Sequence, residues 1–323
     1  MITPYTFFNL AQEDLRLVDS LIRAQADGHH SDLGAALDLL LSSGGKRIRP
    51  ALTILSGKML DAPQLELNTL AAAIELLHTA TLVHDDLIDG ALLRRGAATL
   101  NSQWTPGATV LTGDFLFACA AKLAADTNCV PVIKLFSKTL TIIVNGEITQ
   151  LFDRQNPVNL DGYFQRIYAK TASLFETCTT SAAMIAVSDD KTISNMRLFG
   201  HEIGMAFQIV DDILDFIGDQ STIGKPVGND LRQGVITLPT ILFCSKNAQH
   251  QAVKFLMSDN RPENYSKLDE FIDDIRNDDV IKDAFEIAQT HITKSIEIIQ
   301  NFPPNQERFA LEEIATYLVD RKL

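Results

Sequence analysis

The sequence predicts an all-α protein, and three observations point to that fold class. Apolar residues recur three and four positions apart through most of the 323 residues, which is the spacing of one helix face. No set of alternating β-branched segments separated by hairpin turns is present. Glycine and proline, which interrupt helices, lie between the apolar segments. These features together predict a bundle of helices.

The individual helices follow in chain order from this spacing and from the residues that interrupt it. Breaks occur at Gly44-Gly45, Pro63, Gly90, Gly96, Pro106-Gly107, Pro131, Pro157, Gly218, Gly224, Pro226 and Gly228. Each apolar segment keeps the helical spacing up to such a break or to a polar stretch. The predicted helices are 11–27, 31–42, 47–60, 65–89, 111–125, 131–153, 160–187, 191–217, 235–246, 266–278, 280–301 and 306–320.

Three further features describe how the predicted helices are organised. Residues 70–84 and 139–151 are apolar nearly all the way round, so they belong at the centre of a bundle, as plain core or as walls of an apolar cavity. Residues 218–234 form a long, polar, glycine-rich stretch, predicted as a mobile loop over a site. No Pro/Ser-rich linker divides the chain, so residues 1–323 are predicted as one domain.

Composition and charge exclude several classes of protein. The net charge is 28 − 41 = −13, which argues against non-specific nucleic-acid binding. The four cysteines have neither zinc-ligand nor redox-motif spacing, which is typical of reduced thiols in a cytosolic protein. No signal-peptide pattern is seen, and no apolar run is expected to reach the roughly 18 residues of a membrane helix. We therefore expect a cytoplasmic protein without a transmembrane segment.

Two aspartate-rich motifs carry the strongest chemical signal. Both read DDxxD and both follow an apolar helical run; their members are Asp85, Asp86 and Asp89, and Asp211, Asp212 and Asp215. Because residues four apart share a helix face, like charges stack there and need a compensating cation. Magnesium fits best, since it is held by a few carboxylates plus substrate phosphates. Other Asp-Asp pairs, such as Asp189-Asp190, complete no such motif and read as surface.

Basic residues near these motifs predict contacts to an anionic substrate. Two glycines precede Lys46 and Arg49, which fall one helical turn apart. Taken singly each cation is more often a surface residue, but beside two magnesium-type clusters they suggest a second, metal-independent diphosphate site. The other candidates are Arg94, Arg95, Lys170, Thr171, Lys225 and His78, with His84 expected to orient the helix or an aspartate.

At this point the sequence resembles the trans-isoprenyl (polyprenyl) diphosphate synthases over nearly its whole length. The shared motifs, in family order, are GGKRIRP at 44–50, LLHTATLVHDDLIDGALLRRG at 76–96, GD at 113–114, GEITQ at 146–150, KTA at 170–172, AFQIVDDILDF at 206–216 and GKPVGNDLRQGVITLP at 224–239. The resemblance implies an isoprenoid synthase fold, a helical bundle around a central cavity, usually as a homodimer.

The same resemblance implies a role for each motif residue. Asp85, Asp86, Asp89, Asp211 and Asp215 would bind three Mg²⁺ and through them the allylic diphosphate, with Asp212 in support. Arg94, Lys170, Gln208 and Lys225 would contact that diphosphate, with Thr171 helping. Lys46, Arg49, His78 and Arg95 would hold isopentenyl diphosphate. Many relatives carry a lysine after the loop glycine where this chain has Gly234-Val235, which implies a weaker diphosphate contact.

The implied reaction is head-to-tail prenyl transfer to isopentenyl diphosphate, and small residues before the first motif favour a long product. Ala80 and Thr81 lie one turn before Asp85, where short-chain relatives often carry an aromatic floor. Leu77 lies a further turn down, and Leu140, Ile143 and Val144 are candidates for a deeper floor. We expect an all-trans product of about C30 to C50, with a C15 to C20 product as the alternative.

Three other functions stay open at this stage. A class I terpene cyclase also ionises allylic diphosphates, but its second metal motif differs and it lacks the GGKRIRP-type site. A subunit that needs a hetero-partner would keep both aspartate motifs only if it is the catalytic one. A helical scaffold protein needs neither motif. The primer, the exact chain length and the pathway that uses the product are not determined by the sequence.

Overall fold

Helices form 82% of the structure, so the all-α prediction is confirmed. The computed structural model describes residues 6–42, 45–94, 96–152, 159–218, 226–251, 253 and 265–319. Each predicted segment matches one helix within five residues at either end, except 160–187, which divides into two helices around a π-helical turn, Tyr168–Ala172. A short hairpin, β1 (Leu93–Arg94) and β2 (Ala97–Ala98), was not predicted.

The helices are numbered here in chain order as the structure has them. They are α1 (Thr6–Arg23), α2 (Ser31–Ser42), α3 (Ile48–Met59), α4 (Gln64–Ile88), α5 (Leu100–Gln103), α6 (Pro106–Asp126), α7 (Val130–Phe152), α8 (Leu160–Ile167), α9 (Ser173–Ile185), α10 (Asp190–Ile217), α11 (Asn229–Arg232), α12 (Leu238–Lys246), α13 (Tyr265–Asn277), α14 (Val280–Ile299) and α15 (Gln306–Val319). A 3₁₀ turn, Ala24–Ala26, follows α1.

The first of two compact units is built around α4. Its described residues fall within Met1–Leu140, Leu174–Gly200 and Ile296–Ile314. Every residue from Leu67 to Leu77 is buried, and α4 packs against α1, α3 and α6. A helix that is apolar all the way round gains most by burying every face, so the predicted central position of α4 is confirmed.

For 139–151, in α7, the prediction of plain core packing is wrong, whereas a cavity wall stays a prediction. Ile143 is 5% exposed, but Val144 is 43% exposed and Ile148 is 47% exposed. Val144, Ile148 and Leu151 recur at helical spacing and form an exposed apolar face of α7 in the described part of the chain. Val144 is thus not packed in the core, whereas Ile143 is buried and Leu140 is partly buried, and the deeper floor stays a prediction.

Helix α6 corrects the expectation about membrane-length apolar segments. Pro106–Asp126 is long and apolar enough to cross a membrane by length and composition, and 44% of its most apolar stretch is buried in the fold. The sequence analysis did not predict this segment, because Pro106, Gly107 and Asp114 divide its apolar residues into shorter runs. The buried side of α6 packs on α4. A core helix of a folded unit has the same length and composition, so these two features alone do not indicate a membrane span.

The second unit holds the other aspartate motif on a well-packed helix. Its described residues fall within Thr141–Ser173, His201–Ser295 and Ala315–Leu323. Tyr163 and Ile167 of α8 pack with Ile209 and Ile213 of α10 in one core cluster. A second cluster surrounds Phe216. Packing on both sides of the motif fixes the helix that carries it. The single domain over 1–323 and the central cavity stay predictions.

Candidate active site

The first aspartate motif lies at the end of α4, where a glycine turns the chain back. Gly90 has φ +64, and its N–H donates to Leu87 O at 3.2 Å. The N–H of Ala91 donates to Asp86 O at 2.8 Å. These two bonds define a Schellman C-cap, which favours glycine at the left-handed position. The turn leads directly into the β1–β2 hairpin, which carries Arg94.

The hairpin returns Arg94 to the middle aspartate of the motif. Arg94 Nε donates to both carboxylate oxygens of Asp86, at 2.9 and 3.0 Å, and Nη2 lies 2.8 Å from Oδ1. Asp86 is 7% exposed, so its charge needs this partner. Asp85 is partly buried and Asp89 is exposed. The structure thus unites two predicted site residues and distinguishes the middle carboxylate from the outer two.

His84, one residue before the motif, contacts α6. Its Nε2 lies 3.2 Å from Val110 O and 3.6 Å from a carboxylate oxygen of Asp114. A Cβ on Gly113 would lie 2.2 Å from the same ring nitrogen, so only glycine fits there. This contact explains the GD pair at 113–114 and gives His84 the orienting position that the sequence suggested.

The basic candidates of the first unit also meet. Arg49 Nη1 lies 3.1 Å from His78 Nε2, and the Arg49 guanidinium lies 4.7 Å from the ring centroid of Phe175. Lys46 is exposed. Sequence reasoning missed Phe175, because an apolar residue inside a helical run carries no signal of its own. A cation over an aromatic face is held there electrostatically.

The predicted Lys170-Thr171 pair lies in the π-helical turn rather than in regular helix. Gly146 of α7 makes room for that turn, since a Cβ there would lie 2.6 Å from the Cβ of Ala169. Lys170 Nζ lies 3.6 Å from a carboxylate oxygen of Glu147, the residue after this glycine. Single π turns inside helices occur frequently at functional sites. The GEITQ and KTA motifs are therefore neighbours in the fold.

A chain of hydrogen bonds connects this turn to the second aspartate motif. Thr171 Oγ1 donates to Gln208 Oε1 at 2.5 Å, and Gln208 Nε2 donates to Asp212 Oδ1 at 2.8 Å. The hydroxyl of Tyr163 donates to the other Asp212 oxygen at 2.8 Å. Three predicted residues are thus brought together, and Tyr163 is a member that the sequence did not reveal. A buried tyrosine hydroxyl requires such a partner.

Charge around Asp212 differs from charge around Asp86. Burial and the nearby Asp230 raise the pKa of Asp212 to about 7, although hydrogen bonds from Gln208 and Tyr163 and the charge of Arg166 act in the opposite direction. Burial, followed by the Asp212 charge, also raises the pKa of Tyr163 far above its usual range. Arg166 donates to the backbone oxygen of Ile236. Sequence reasoning missed Arg166 as well.

Part of the predicted loop 218–234 is held by the last aspartate. The N–H of Gly228 donates to Asp215 O at 2.8 Å, and the N–H of Asp230 donates to Asp215 Oδ2 at 3.1 Å. The expectation of a loop throughout is wrong for α11, because these bonds and a left-handed Gly228 start a helical turn. Lys225 and Arg95 lie outside the described residues.

The carboxylates fit magnesium by donor chemistry. Asp85, Asp89, Asp211 and Asp215 supply hard oxygen ligands and are partly or fully exposed. Within the described ranges, no three His, Cys, Asp or Glu side chains are gathered into a metal-binding group. Magnesium needs no such cage, because one or two carboxylates plus substrate phosphates usually hold it. Which of these aspartates are ligands stays a prediction.

The fold and the site define a helical enzyme of isoprenoid diphosphate chemistry, and comparison with known proteins agrees. The chain belongs to the polyprenyl synthetase family, whose sequence profile matches residues 30–275. The predicted family, the isoprenoid synthase fold and the enzyme class are therefore confirmed. The protein is a prenyltransferase, a polyprenyl diphosphate synthase.

Three similar proteins illustrate the match. Heptaprenyl diphosphate synthase component 2 of Bacillus subtilis is 33% identical over 98% of this chain and 90% of its own length. Solanesyl diphosphate synthase 2 of Arabidopsis thaliana, a chloroplastic protein, is 34% identical over 98% and 76%. A crystal structure of a Caulobacter crescentus polyprenyl synthase, complexed with calcium and isoprenyl diphosphate, is 32% identical with a TM-score of 0.91, covering 98% and 97%.

Proposed function

We propose that this chain condenses geranyl or farnesyl diphosphate with isopentenyl diphosphate to an all-trans product of about C30 to C50. One observation carries the proposal. Each DDxxD motif buries its middle aspartate against a fixed partner and leaves its outer aspartates at least partly exposed on a helix. Exposed carboxylates on rigid helices suit metal-diphosphate binding.

The proposed product length rests on the helix that carries the first motif. Leu77 and Ala80 are buried, and Thr81 is partly buried with its hydroxyl donating to His78 O at 2.7 Å. None of the three is aromatic, so this face of α4 itself supplies no bulky floor within two turns of Asp85. The relatives named for heptaprenyl and solanesyl diphosphates support the same range.

Replacing the small residue tests this part. Ala80→Phe, at a fully buried position, should shift the product ladder to C15 to C20, with Leu77→Phe a weaker block further down. Products are sized by mass spectrometry after incubation with labelled isopentenyl diphosphate. A wild-type ladder that already ends at C20 would instead establish the short-chain alternative, and an unchanged ladder in Ala80→Phe contradicts the floor argument.

The proposed metal is Mg²⁺, three ions per site, held by Asp85, Asp86, Asp89, Asp211 and Asp215. When bound, magnesium supplies positive charge that stabilises the departing diphosphate. The relative solved with calcium supports a divalent metal. Asp86, paired with Arg94, is the weakest of these candidates. Arg94 also lies where it can assist the diphosphate, because it is one third exposed.

The other residues of the chain bind and orient the substrates. Lys170, Thr171 and Gln208 are proposed to contact the allylic diphosphate, since the hydrogen-bonded chain to Asp212 fixes their geometry. By resemblance alone, Lys225 is assigned to the allylic diphosphate and Arg95 to isopentenyl diphosphate. Lys46, Arg49 and His78 are proposed to hold isopentenyl diphosphate without metal. Arg suits bidentate phosphate contacts and Lys provides a point charge.

Proton loss completes the condensation without a dedicated protein base. The double bond of isopentenyl diphosphate attacks the allylic carbon as its C–O bond breaks, and the released diphosphate takes the proton. Water would quench the cationic carbon, so closure of the region 218–234 over the site stays a prediction, and residues 219–225 of that region lie outside the described residues. The bonds that hold Gly228 and Asp230 to Asp215 attach the described part of that region to the second motif.

The proposed assembly is a homodimer. Val144, Ile148 and Leu151 form an uncovered apolar face of α7, and such faces mark protein interfaces. The Bacillus subtilis relative carries the name component 2, which raises a hetero-partner as the alternative. Ile148→Glu should produce monomers in sedimentation analysis, and full activity of the purified chain alone excludes an obligate hetero-partner. Cytoplasmic localisation stays a prediction.

The proposed function as a whole is tested with the purified chain, Mg²⁺, labelled isopentenyl diphosphate and either primer. We expect a ladder that ends at C30 or longer and that chelation of the metal abolishes. No turnover with metal present contradicts a self-sufficient synthase. Asp273→Ala, which removes an exposed carboxylate outside both motifs, serves as the matched control and should retain wild-type activity.

A further inference from the structure

The start of α3 is joined to α4 by two side-chain pairs, and one of them, Arg47–Glu75, has no role so far. Arg49 reaches His78, as described above. Arg47 reaches Glu75, with Nη1 2.5 Å from Oε1. Arg47 caps α3 and Arg49 lies two residues later in its first turn, while Glu75 and His78 are three apart on one face of α4. Neighbouring residues at the start of α3 are therefore held by neighbouring residues of α4.

The Arg47–Glu75 pair is buried and has further partners. The side chain of Glu75 is 8% exposed and that of Arg47 is 18% exposed. Arg47 Nη2 also lies 3.2 Å from Leu41 O and 3.4 Å from a carboxylate oxygen of Asp19. A carboxylate inside an otherwise apolar helix persists only when it is paired and hydrogen-bonded. Glu75 therefore depends on Arg47 for its place in α4.

The pair also distinguishes Arg47 from the neighbouring cations. The sequence singles out Lys46 and Arg49, and Arg47 between them is the cation whose charge Glu75 offsets. Arg47 also has φ +45, which is uncommon for a residue other than glycine, at the point where the chain enters α3. Arg47 is thus an anchor, whereas Lys46 and Arg49 are the candidates for contact with an anion.

We propose that Arg47 and Glu75 are positioning residues for isopentenyl diphosphate, an inference that rests on the proposed function of Lys46, Arg49 and His78. Neither residue of the pair touches the substrate. Their bond fixes the position of the start of α3 relative to α4. Arg49 therefore stays beside His78, and Lys46 keeps its distance from both. Loss of the pair should weaken this one substrate site selectively.

The test compares two buried carboxylates in the same unit. Glu75→Gln and Arg47→Gln, as full-length chains with Mg²⁺, should each raise KM for isopentenyl diphosphate about tenfold, since misplaced binding groups cost one to two orders of magnitude. KM for the allylic primer and kcat should change less than about twofold. The matched control is Asp14→Asn, because Asp14 has an equally exposed side chain, at 8%, and pairs with Lys58.

Rescue and direct binding decide the remaining outcomes. Arg47→Lys keeps the charge but lacks the fork and should raise KM less than Arg47→Gln. Calorimetric binding of isopentenyl diphosphate without metal should show the same order of Kd values. An unchanged KM and Kd in folded Glu75→Gln, or an equal change in Asp14→Asn, overturns the inference. If the wild-type chain binds isopentenyl diphosphate but shows no turnover, the proposed function is rejected and the comparison of Kd values still decides the inference. If the wild-type chain neither binds isopentenyl diphosphate nor turns over, the proposed function and the inference are both rejected.

Discussion

The two aspartate motifs bury their middle carboxylate by different means. Asp86 pairs with a cation, Arg94, which the turn at Gly90 and the short β1–β2 hairpin bring back beside it. Asp212 receives two neutral donors, Gln208 from its own helix and Tyr163 from α8. The first group is paired with a cation, whereas burial and Asp230 raise the pKa of the second. The same three-residue pattern therefore has two electrostatic environments.

The difference shows that a motif specifies positions on a helix but not the groups that neutralise it. In both motifs the outer positions share one face and the middle one turns toward the packed interior. The partner of Asp86 on α4 comes from a local hairpin, eight residues later in the chain. One partner of Asp212 on α10 comes from α8, 49 positions earlier in the chain. Local partners are easier to foresee than distant ones.

The largest expected effect belongs to the outer aspartates. Asp89→Ala and Asp215→Ala should each lower kcat by about 10²–10³ or more, because each removes charge that stabilises the departing diphosphate. Both variants should also lose the rise in Tm that Mg²⁺ with inorganic diphosphate gives the wild type, since a ligand stabilises only the state it binds. Steady-state kinetics and thermal scans measure these effects.

Equal losses in the two variants would mean that the two motifs contribute equally to catalysis despite their different interiors. A change below about tenfold in either variant contradicts metal binding by that motif, since even one stabilising group is worth more. The exposed Asp273→Ala remains the control for a carboxylate lost elsewhere.

The second effect concerns the buried partners and is one of stability. Arg94→Met leaves the Asp86 carboxylate buried without a cation and should lower the free energy of unfolding by about 2 kcal/mol, less than a fully buried pair because Arg94 is 33% exposed. Tyr163→Phe removes one of two neutral donors and should lower it by about 1 kcal/mol. Denaturant titration of both metal-free variants measures the difference.

A second substitution at each site separates charge from packing. Asp86→Asn in the Arg94→Met background should recover part of the lost stability, because the unpaired charge is gone. Asp212→Asn in the Tyr163→Phe background should recover less, since the hydroxyl donated a neutral bond. Recovery of the same size at both sites would contradict the distinction between the two interiors.

Much of this arrangement followed from the sequence, and the parts that did not have a physical reason. Helical spacing predicted α4 and α10. The resemblance assigned Arg49 and His78 to one substrate and Thr171 and Gln208 to the other, and each of these pairs is in contact in the structure. Tyr163 and Phe175 escaped notice because buried aromatic residues look the same whether they pack or orient a neighbour. The exposed face of α7 was also missed, since apolar periodicity does not distinguish core from a surface left for another chain.

The smallest expected effect lies outside both motifs and separates stability from activity. Val187 follows α9 with φ +52 and is 88% exposed. Its N–H donates to Met184 O and that of Ser188 to Ala183 O, a Schellman cap in which a β-branched residue occupies the glycine position. Val187→Gly should raise the free energy of unfolding by about 1 kcal/mol, because the left-handed strain is relieved.

Asn128 provides the matched control for this substitution. It ends α6 with φ +54, but asparagine tolerates that region, so Asn128→Gly should change stability by less than half as much as Val187→Gly. Both variants should keep wild-type kcat and the full Tm response to Mg²⁺ and diphosphate. A stabilised Val187→Gly with unchanged kinetics would show that stability and kcat vary independently in this protein. The losses of kcat expected for Asp89→Ala and Asp215→Ala would then reflect the reaction and not the stability of the fold. A loss of activity in Val187→Gly would instead tie the end of α9 to the Phe175 side of the basic site.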